Sequence, residues 1–520
     1  MNILNIIQIK HLLRFVYDKI NGFIRIDLKE RWIEFNFVLN KTLFNKPGQY
    51  RPIEKALIKS YNKHRNRSKQ YLLCHAPYKN LYFQMDGNVV TCCNNRFYSL
   101  GKYPENAITD IWNGSKLKRL RNNIANNDLS LGCNFCYSCI KANNYRGMPA
   151  LAFDGFNINN SHPISLELEL DNTCNLECIM CCGPLSSSVR KNRDKLPPIP
   201  KIYDDKFVEN LKTIIPELKR VKFIGGEPFL IDIYYKIWHA ILDINPKCII
   251  ELQTNATVLN TRIKELLNKG NFRIGVSLDS LNKETYERIR LHAHFESVME
   301  NIEYFSNYSK RSGYTLSVSV CPMRINWKEI PELIKFCNDI EASIYFNTVV
   351  YPIYLAIWSL DSSGIKEIKE YYENSKIENY SSLSLLNWEG FMHLINQIKL
   401  WFEEAKNREN DKSFPKESEW EKIQEELVKK LQDYLLKSVD VIDGKIDLEM
   451  VCNKLNGILS KIESKKSKDN LIITLNTLPV DLIFELLTND SYGMMKSIIY
   501  EYIEQNIEGH GTGYVISYES

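Results

Sequence analysis

The sequence predicts an α/β protein whose central part is built from six βα units in an open, partial barrel. Two observations carry this prediction. Between residues 160 and 355, short apolar stretches alternate with helical ones, which is typical of parallel strands with helices outside. Glycine-rich or polar motifs follow several of these stretches, and barrel sites lie at the carboxyl ends of strands. The strands are expected near 164–170, 221–225, 248–254, 272–278, 315–321 and 343–350.

The chain of 520 residues is long enough for several domains. We expect a helical lead-in at 1–70, a cysteine-rich domain at 71–150, the barrel at 160–355 and a helical region at 360–520. The last region contains long charged amphipathic stretches, one of which opens on a capping box at 418–421, and they are expected to cover the barrel or bind a partner. The net charge of +4, from 67 basic and 63 acidic residues, argues neither for nor against a nucleic-acid partner.

Cysteine usage bears on the compartment. Fourteen cysteines in a chain without a recognisable secretory signal predict a reducing cytoplasm, where cysteine clusters bind metal before they form disulfides. Apolar positions in residues 9–20 recur at helical spacing, so this stretch is expected to dock on the core or to contact a membrane surface. No stretch approaches the roughly 20 apolar residues that a membrane span requires.

Three cysteines directly follow the first predicted strand, in the run DNTCNLECIMCCG. Cys174, Cys178 and Cys181 have the spacing C-x3-C-x2-C. Three thiolates on one short loop can hold three corners of a cubane iron–sulfur cluster, which normally takes four cysteines. The fourth iron is then open to a substrate or cofactor, as in catalytic metal sites. The alternative, a zinc knuckle, would need a fourth ligand such as Cys182.

Polar motifs end the next strands of the predicted barrel. The first is GGEP at 225–228, where glycines allow the backbone to approach a ligand closely. Thr254 and Asn255 end the following strand, and Ser277 and Asp279 end the one after it.

These motifs, in this order, resemble those of the radical S-adenosylmethionine (SAM) enzymes over about residues 160 to 355. The resemblance implies a partial (β/α)6 TIM-like barrel, with a SAM-binding [4Fe-4S] cluster on Cys174, Cys178 and Cys181. It implies reductive cleavage of SAM to a 5′-deoxyadenosyl radical, which abstracts hydrogen from a substrate, with a flavodoxin- or ferredoxin-like electron donor. The implied SAM contacts are Gly225, Gly226, Glu227, Pro228, Thr254, Asn255, Ser277, Asp279 and Asn326.

A second cysteine cluster precedes the barrel. The segment LYFQMDGNVVTCC predicts a β-hairpin with an Asp-Gly-Asn turn that ends in cysteine, and CNFCYSC follows later. This resembles the SPASM and twitch auxiliary-cluster domains, although such domains usually follow the barrel and carry proline where Thr91 stands. The resemblance implies a second [4Fe-4S] cluster; a zinc knuckle is the alternative. The expected ligands are Cys74, Cys92, Cys133 and Cys136, with Cys139 and Cys93 in reserve.

The sequence leaves three functional classes open. Relatives with auxiliary-cluster domains mostly modify peptides, so a peptide, protein or natural-product precursor is expected. RNA modification is an alternative because KHRNRSK and SKLKRLRNN are basic runs, although such runs are usually solvated faces. A non-catalytic iron–sulfur scaffold or electron carrier is a third possibility. No catalytic acid or base is identified.

Overall fold

A computed structural model describes residues 52–410, apart from 97, 142–144, 146–147, 156–160, 350–351, 353–354 and 379, together with Lys429. The amphipathic stretch at 9–20 and the helical stretches expected from 418 onward lie outside the described residues. None of the helices in the described part combines the length and apolarity needed to cross a membrane.

One sheet of nine strands organises the described chain. Its spatial order is β3-β2-β1-β4-β5-β6-β7-β8-β9, and β4 to β9 run parallel to one another in chain order. The strands are β1 Asn80–Phe83, β2 Asn88–Val90, β3 Gly101–Lys102, β4 Ser165–Glu169, β5 Arg220–Ile224, β6 Ile249–Thr254, β7 Phe272–Ser277, β8 Ser317–Val320 and β9 Ser343–Phe346.

Helices connect the parallel strands and precede and follow them. They are α1 Lys55–Asn62, α2 Ile108–Asn113, α3 Ser115–Ala125, α4 Asn134–Lys141, α5 Ser187–Asn192, α6 Asp205–Lys212, α7 Asp232–Ile244, α8 Thr261–Lys269, α9 Lys283–Ile289, α10 Phe295–Arg311, α11 Ile330–Asp339, α12 Ser362–Glu373 and α13 Ser382–Asn410.

The predicted partial barrel is confirmed. Each of the six strands expected from the alternating pattern corresponds to one of β4 to β9, and the sheet is not closed. Apolar side chains on one face of the sheet pack under the helices, as Phe223 of β5 does against Tyr234 and Trp238 of α7. The alternation of strands and helices in the sequence therefore correctly predicts that the strands are parallel and that the helices pack against the sheet.

The opposite face of β4, β5 and β6 carries charged side chains. In the sheet register Glu167 pairs with Lys222, and Lys222 pairs with Glu251. Burial lowers the pKa of Lys222, but Glu167 and then Glu251 raise it, and the net effect is an increase. Lys222 therefore remains charged between the two carboxylates. We call these groups, with three neighbours, the polar inner face: Arg96, Arg220, Lys222, Glu167, Glu169 and Glu251.

The hairpin expected in the cysteine-rich domain is part of the barrel sheet. Strands β1 and β2 are antiparallel around an Asp-Gly turn, as the sequence indicates. Strand β1 also pairs in parallel with β4, from Asn80 opposite Ser165 to Phe83 opposite Leu168. Strands β1 to β3, which come earlier in the chain, therefore cover the edge of β4. Long-range strand pairing of this kind leaves no local pattern in the sequence.

The described chain divides into two compact units. One comprises residues 52–79 and 113–161, and the other comprises residues 80–112 and 162–410. The hairpin thus clusters with the barrel, whereas the remainder of the cysteine-rich region stands in the first unit. The domain boundaries expected from the sequence stay a prediction.

A largely buried ion cluster lies in the first unit. The Arg65 guanidinium donates to both carboxylate oxygens of Asp154, each at 2.8 Å, and His75 Nδ1 lies 2.8 Å from Asp154 Oδ1. The side chains of Arg65 and His75 are fully buried. Because Cys74 precedes His75, this cluster fixes the backbone at one of the predicted cluster ligands.

Helix α13 covers the last strand of the sheet. The side chain of Asn387 accepts a hydrogen bond from the backbone N–H of Ile344 in β9 at 2.9 Å and donates to the carbonyl of Ala342 at 2.9 Å. These bonds satisfy backbone groups at an edge that would otherwise be open. This part of the helical region therefore covers the barrel, as expected.

Candidate active site and iron–sulfur ligands

The loop after β4 carries the three predicted ligands of the SAM-binding cluster. Cys178 is buried, and Cys174 and Cys181 are half-buried. Ser187 Oγ accepts a hydrogen bond from the Cys174 backbone N–H at 3.1 Å, and Ser188 Oγ donates to the Cys174 carbonyl at 2.7 Å. The start of helix α5 thus fixes the first cysteine of the triad.

The three thiols lie close enough to affect one another. Burial, followed by the neighbouring Cys182, Cys178 and Cys174, raises the pKa of the Cys181 thiol. Burial also raises the pKa of Cys178 to about 11, although the nearby Arg290 lowers it. Thiols in such a site ionise when a cationic metal centre compensates the charge. The residues therefore fit an iron–sulfur cluster.

The thiols are not gathered around a single point. Within the described residues, no three His, Cys, Asp or Glu side chains are placed to hold one metal ion. In a cubane cluster each thiolate binds a different iron, so its ligands need not converge in that way.

The GGEP turn after β5 is pressed against the segment that enters the cysteine loop. Gly225 and Gly226 have positive φ angles of 88° and 41°. A Cβ atom on Gly226 would lie 2.2 Å from the Thr173 carbonyl oxygen, and the Glu227 backbone N–H donates to that same oxygen at 2.8 Å. Glycine is required here because the two backbones approach so closely.

Glu227 ties this turn to the end of β6. Its buried carboxylate accepts hydrogen bonds from Thr254 Oγ1 and the Asn255 backbone N–H, both at 2.7 Å, and from the Phe229 N–H at 3.2 Å. Burial raises the pKa of Glu227 to about 7, against the lowering effect of these donors. The structure thus brings together two of the predicted motifs through one carboxylate.

Asn255 extends the connection to the cysteine loop. Its Nδ2 donates to Asn175 Oδ1 at 3.0 Å and lies 4.0 Å from Cys174 Sγ. Its Oδ1 accepts from the N–H and hydroxyl of Thr257. The ends of β4, β5 and β6 are therefore joined into one polar network beside the triad, as the strand-end motifs predict.

Asp279 and Asn326 are placed differently from the other predicted SAM contacts. Asp279 Oδ2 lies 2.7 Å from Arg290 Nη2, and its Oδ1 accepts from the Cys321 N–H at 2.7 Å. The Asn326 amide bonds the backbone of Asp279, Cys321 and Met323. Their described contacts brace loops, and their expected roles as SAM contacts stay predictions. Ser277 is half-buried and accepts from Gln253 Nε2 at 3.0 Å.

Arg290 is the residue of this site that the sequence reading missed. It stands directly after α9, buried, with its guanidinium beside Cys178. Nothing in the run ERIRLH separates it from a surface arginine, because its partners Cys178 and Asp279 come from distant positions. The only signal is that it follows the apolar Ile289 at the end of a helix.

Four predicted or reserve ligands of the auxiliary cluster lie in the first unit. Cys136 and Cys139 are three residues apart on α4 and therefore share a face of that helix. Burial, and then the thiols of Cys74, Cys133 and Cys139, raise the pKa of Cys136. Such neighbouring thiols fit a cluster. Cys92 and Cys93 belong to the second unit, so the choice of the fourth ligand stays a prediction.

Two family profiles match the chain. Residues 168–337 match the radical SAM superfamily, and residues 74–140 match the SPASM iron–sulfur cluster-binding domain. The chain therefore carries a radical SAM domain with a SPASM domain before it. This confirms the predicted family and enzyme class, and it confirms that the SPASM region precedes the barrel. It also confirms the predicted cofactors at the level of the domains: a SAM-binding [4Fe-4S] cluster, SAM and an auxiliary cluster.

Curated relatives match over part of their length. A GTP 3′,8-cyclase of Clostridium botulinum is 27% identical over 220 residues, which cover 42% of this chain and 62% of the relative. A probable GTP 3′,8-cyclase of Methanocaldococcus jannaschii is 31% identical over 216 residues, covering 41% of this chain and 65% of the relative. The chain thus spans less than two thirds of the length of these relatives.

Solved structures of radical SAM proteins are also similar. The structure titled native anSMEcpe with bound AdoMet is 20% identical, covers 41% of this chain and 60% of its own, and has a TM-score of 0.32. SuiB of Streptococcus suis bound to S-adenosylmethionine is 17% identical, covers 48% of this chain and 60% of its own, and has a TM-score of 0.31.

The close contact between the GGEP turn and the cysteine loop predicts that an added methyl group at Gly226 lowers the stability of the protein. Gly226→Ala combines a left-handed backbone with a clash against the Thr173 carbonyl, so we expect it to lower the free energy of unfolding by about 2 to 4 kcal/mol, twice the strain of a left-handed residue alone. Thermal unfolding of the anaerobically purified protein measures the effect.

The matched control is Gly313→Ala. Gly313 has a φ of 73° but nothing within 4 Å of the added Cβ, so only the backbone strain of about 1 to 2 kcal/mol applies. Equal destabilisation by the two substitutions would contradict the close approach of the two backbones at Gly226.

Proposed function

We propose that this chain cleaves SAM reductively and abstracts hydrogen from a substrate at the carboxyl ends of β4 to β7. The observation that carries the proposal is the joining of the Cys174, Cys178 and Cys181 loop to the GGEP turn and the end of β6. When bound, the cluster and SAM supply the carbon radical. The chain's own residues would hold three irons through the triad and orient the methionyl group at the GGEP turn.

The polar inner face supports a substrate that is not a polyphosphate. Arg96 pairs with Glu169 at 2.8 Å, and Arg220 pairs with Glu251 at 3.7 Å. To bind a polyphosphate, these two arginines would first have to leave their carboxylate partners. We therefore favour a peptide, protein or natural-product precursor, in keeping with the SPASM match.

GTP is the second candidate substrate, because two relatives are named GTP 3′,8-cyclase and probable GTP 3′,8-cyclase. RNA modification and a non-catalytic scaffold or electron carrier remain as further alternatives. A flavodoxin- or ferredoxin-like donor would supply the electron, and a cytoplasmic location would suit the thirteen described cysteines, all of which are thiols rather than disulfides.

Substitution of one cysteine inside the triad and one outside it tests which cysteines bind the cluster. We expect the anaerobic protein to form 5′-deoxyadenosine from SAM under dithionite, and Cys174→Ala to lower that rate at least 100-fold because one iron loses its ligand. Cys182→Ala, in the same loop and outside the triad, should retain at least half of the rate. Chromatographic quantification of 5′-deoxyadenosine is the measurement. Loss of activity only in the Cys182 variant would overturn the assigned triad.

The substrate class is tested by isotope transfer. We expect 5′-deoxyadenosine to gain deuterium when the protein turns over with deuterated candidate peptides taken from short reading frames beside its gene, because the radical takes hydrogen from the substrate. Parallel reactions with deuterated GTP and deuterated RNA are the comparisons, and mass spectrometry of 5′-deoxyadenosine is the readout. Label from GTP or RNA alone would replace the peptide proposal with that alternative. SAM left uncleaved in all reactions would favour the scaffold.

A further inference from the structure

Arg290 is a buried cation that has no role in the proposed cleavage of SAM. It follows α9 and is 6% exposed, although arginine is rarely buried without a partner. Its Nη2 lies 2.7 Å from Asp279 Oδ2, and its Nη1 donates to Cys178 Sγ at 3.9 Å. The guanidinium therefore lies between a fully buried carboxylate and a predicted cluster ligand.

Asp279 places a fixed negative charge beside the guanidinium. Its other oxygen accepts from the Cys321 N–H at 2.7 Å, and its backbone carbonyl accepts from Asn326 Nδ2 at 2.8 Å. Both ends of Asp279 are thus fixed to the loop that follows β8. The carboxylate that opposes the charge of Arg290 therefore has one position.

Backbone hydrogen bonds fix the distance between Arg290 and Cys178. The Glu177 N–H donates to the Leu291 carbonyl at 3.2 Å, and the Ile179 N–H donates to the Ile289 carbonyl at 2.9 Å. These bonds flank Cys178 on one segment and Arg290 on the other. The two residues therefore face each other because the main chains are paired, and a flexible side chain is not needed to bring them together.

The guanidinium stays charged in this setting. An arginine stays protonated in proteins, and Asp279 pairs with it at 2.7 Å. Its Nε is also buried and has no hydrogen-bond partner among the described atoms. Reduction adds one negative charge to an iron–sulfur cluster, and nearby charge and hydrogen bonds to sulfur set how favourable that step is.

We propose that Arg290 is a positioning residue which raises the reduction potential of the cluster on Cys174, Cys178 and Cys181. This rests on the proposed function of that triad. The guanidinium acts through the Cys178 sulfur: it stabilises the cluster after one electron has arrived from the donor, and it takes no part in breaking the SAM sulfonium. Asp279 sets the size of the effect because its charge opposes that of Arg290.

The test compares opposite charge changes at the two partners. In Arg290→Gln the cation is lost, so at a fixed poised potential we expect the ratio of reduced to oxidised cluster to fall about tenfold, which corresponds to about 59 mV for one electron. In Asp279→Asn the opposing charge is lost, so that ratio should rise. Arg290→Lys keeps the charge and should recover most of the wild-type ratio. Redox titration followed by electron paramagnetic resonance measures these ratios, with the SAM-binding cluster identified as the signal that changes when SAM is added.

The matched control is Arg288→Gln, because Arg288 is an exposed arginine two residues earlier on α9. It should leave the ratio unchanged. A purely structural Arg290 would lower cluster content without shifting the ratio, and shifts of the same sign in the Arg290 and Asp279 variants would also overturn the proposal.

A labelling experiment covers variants that fail to fold. In wild-type protein enriched with ¹⁵N-arginine, the reduced cluster should show a ¹⁵N hyperfine coupling, and its absence would overturn the proposal. If wild-type protein has no cluster that depends on the triad, the proposed function fails first. If that cluster is present but neither the coupling nor the shift is found, only the role of Arg290 fails.

Discussion

Backbone hydrogen bonds from three neighbouring segments hold the loop that carries the triad, and the proposed chemistry depends on this constraint. The Glu227 N–H binds the Thr173 carbonyl, the Ser187 N–H binds the Asn172 carbonyl, and the 289–291 segment pairs on both sides of Cys178. A cysteine loop held in this way is ordered by the barrel itself. Cluster binding then loses less conformational entropy, and the iron without a protein ligand has a defined position.

The same network explains why the strand-end motifs occur together. Glu227 bonds both Thr254 and Asn255, and Asn255 in turn bonds Asn175 in the cysteine loop. Residues expected to touch SAM therefore also hold one another in place. A change in one of them would act on the geometry of the triad as well as on direct contacts, so a loss of activity would need a structural readout beside it.

Much of the fold was predictable because its signals are local. The parallel strands β4 to β9 follow from alternating βα stretches, and the Cys174, Cys178 and Cys181 spacing is readable within eight residues. The pairing of β1 with β4 was not predictable, since it joins segments more than 80 residues apart. The Arg290, Asp279 and Cys178 arrangement was missed for the same reason. Asn326 was expected to face the cofactor, yet its described bonds go to backbone, because a loop-end amide serves either purpose and sequence does not distinguish them.

The most direct test of the central claim is the binding of SAM to the open iron. Anaerobic protein is reduced in the presence of SAM labelled with ¹⁵N in the methionyl amino group, and the cluster is examined by electron–nuclear double resonance. The account predicts a ¹⁵N coupling that is present in wild-type protein and absent from Cys178→Ala. A reduced cluster that depends on the triad but shows no coupling to the labelled amino group would contradict it.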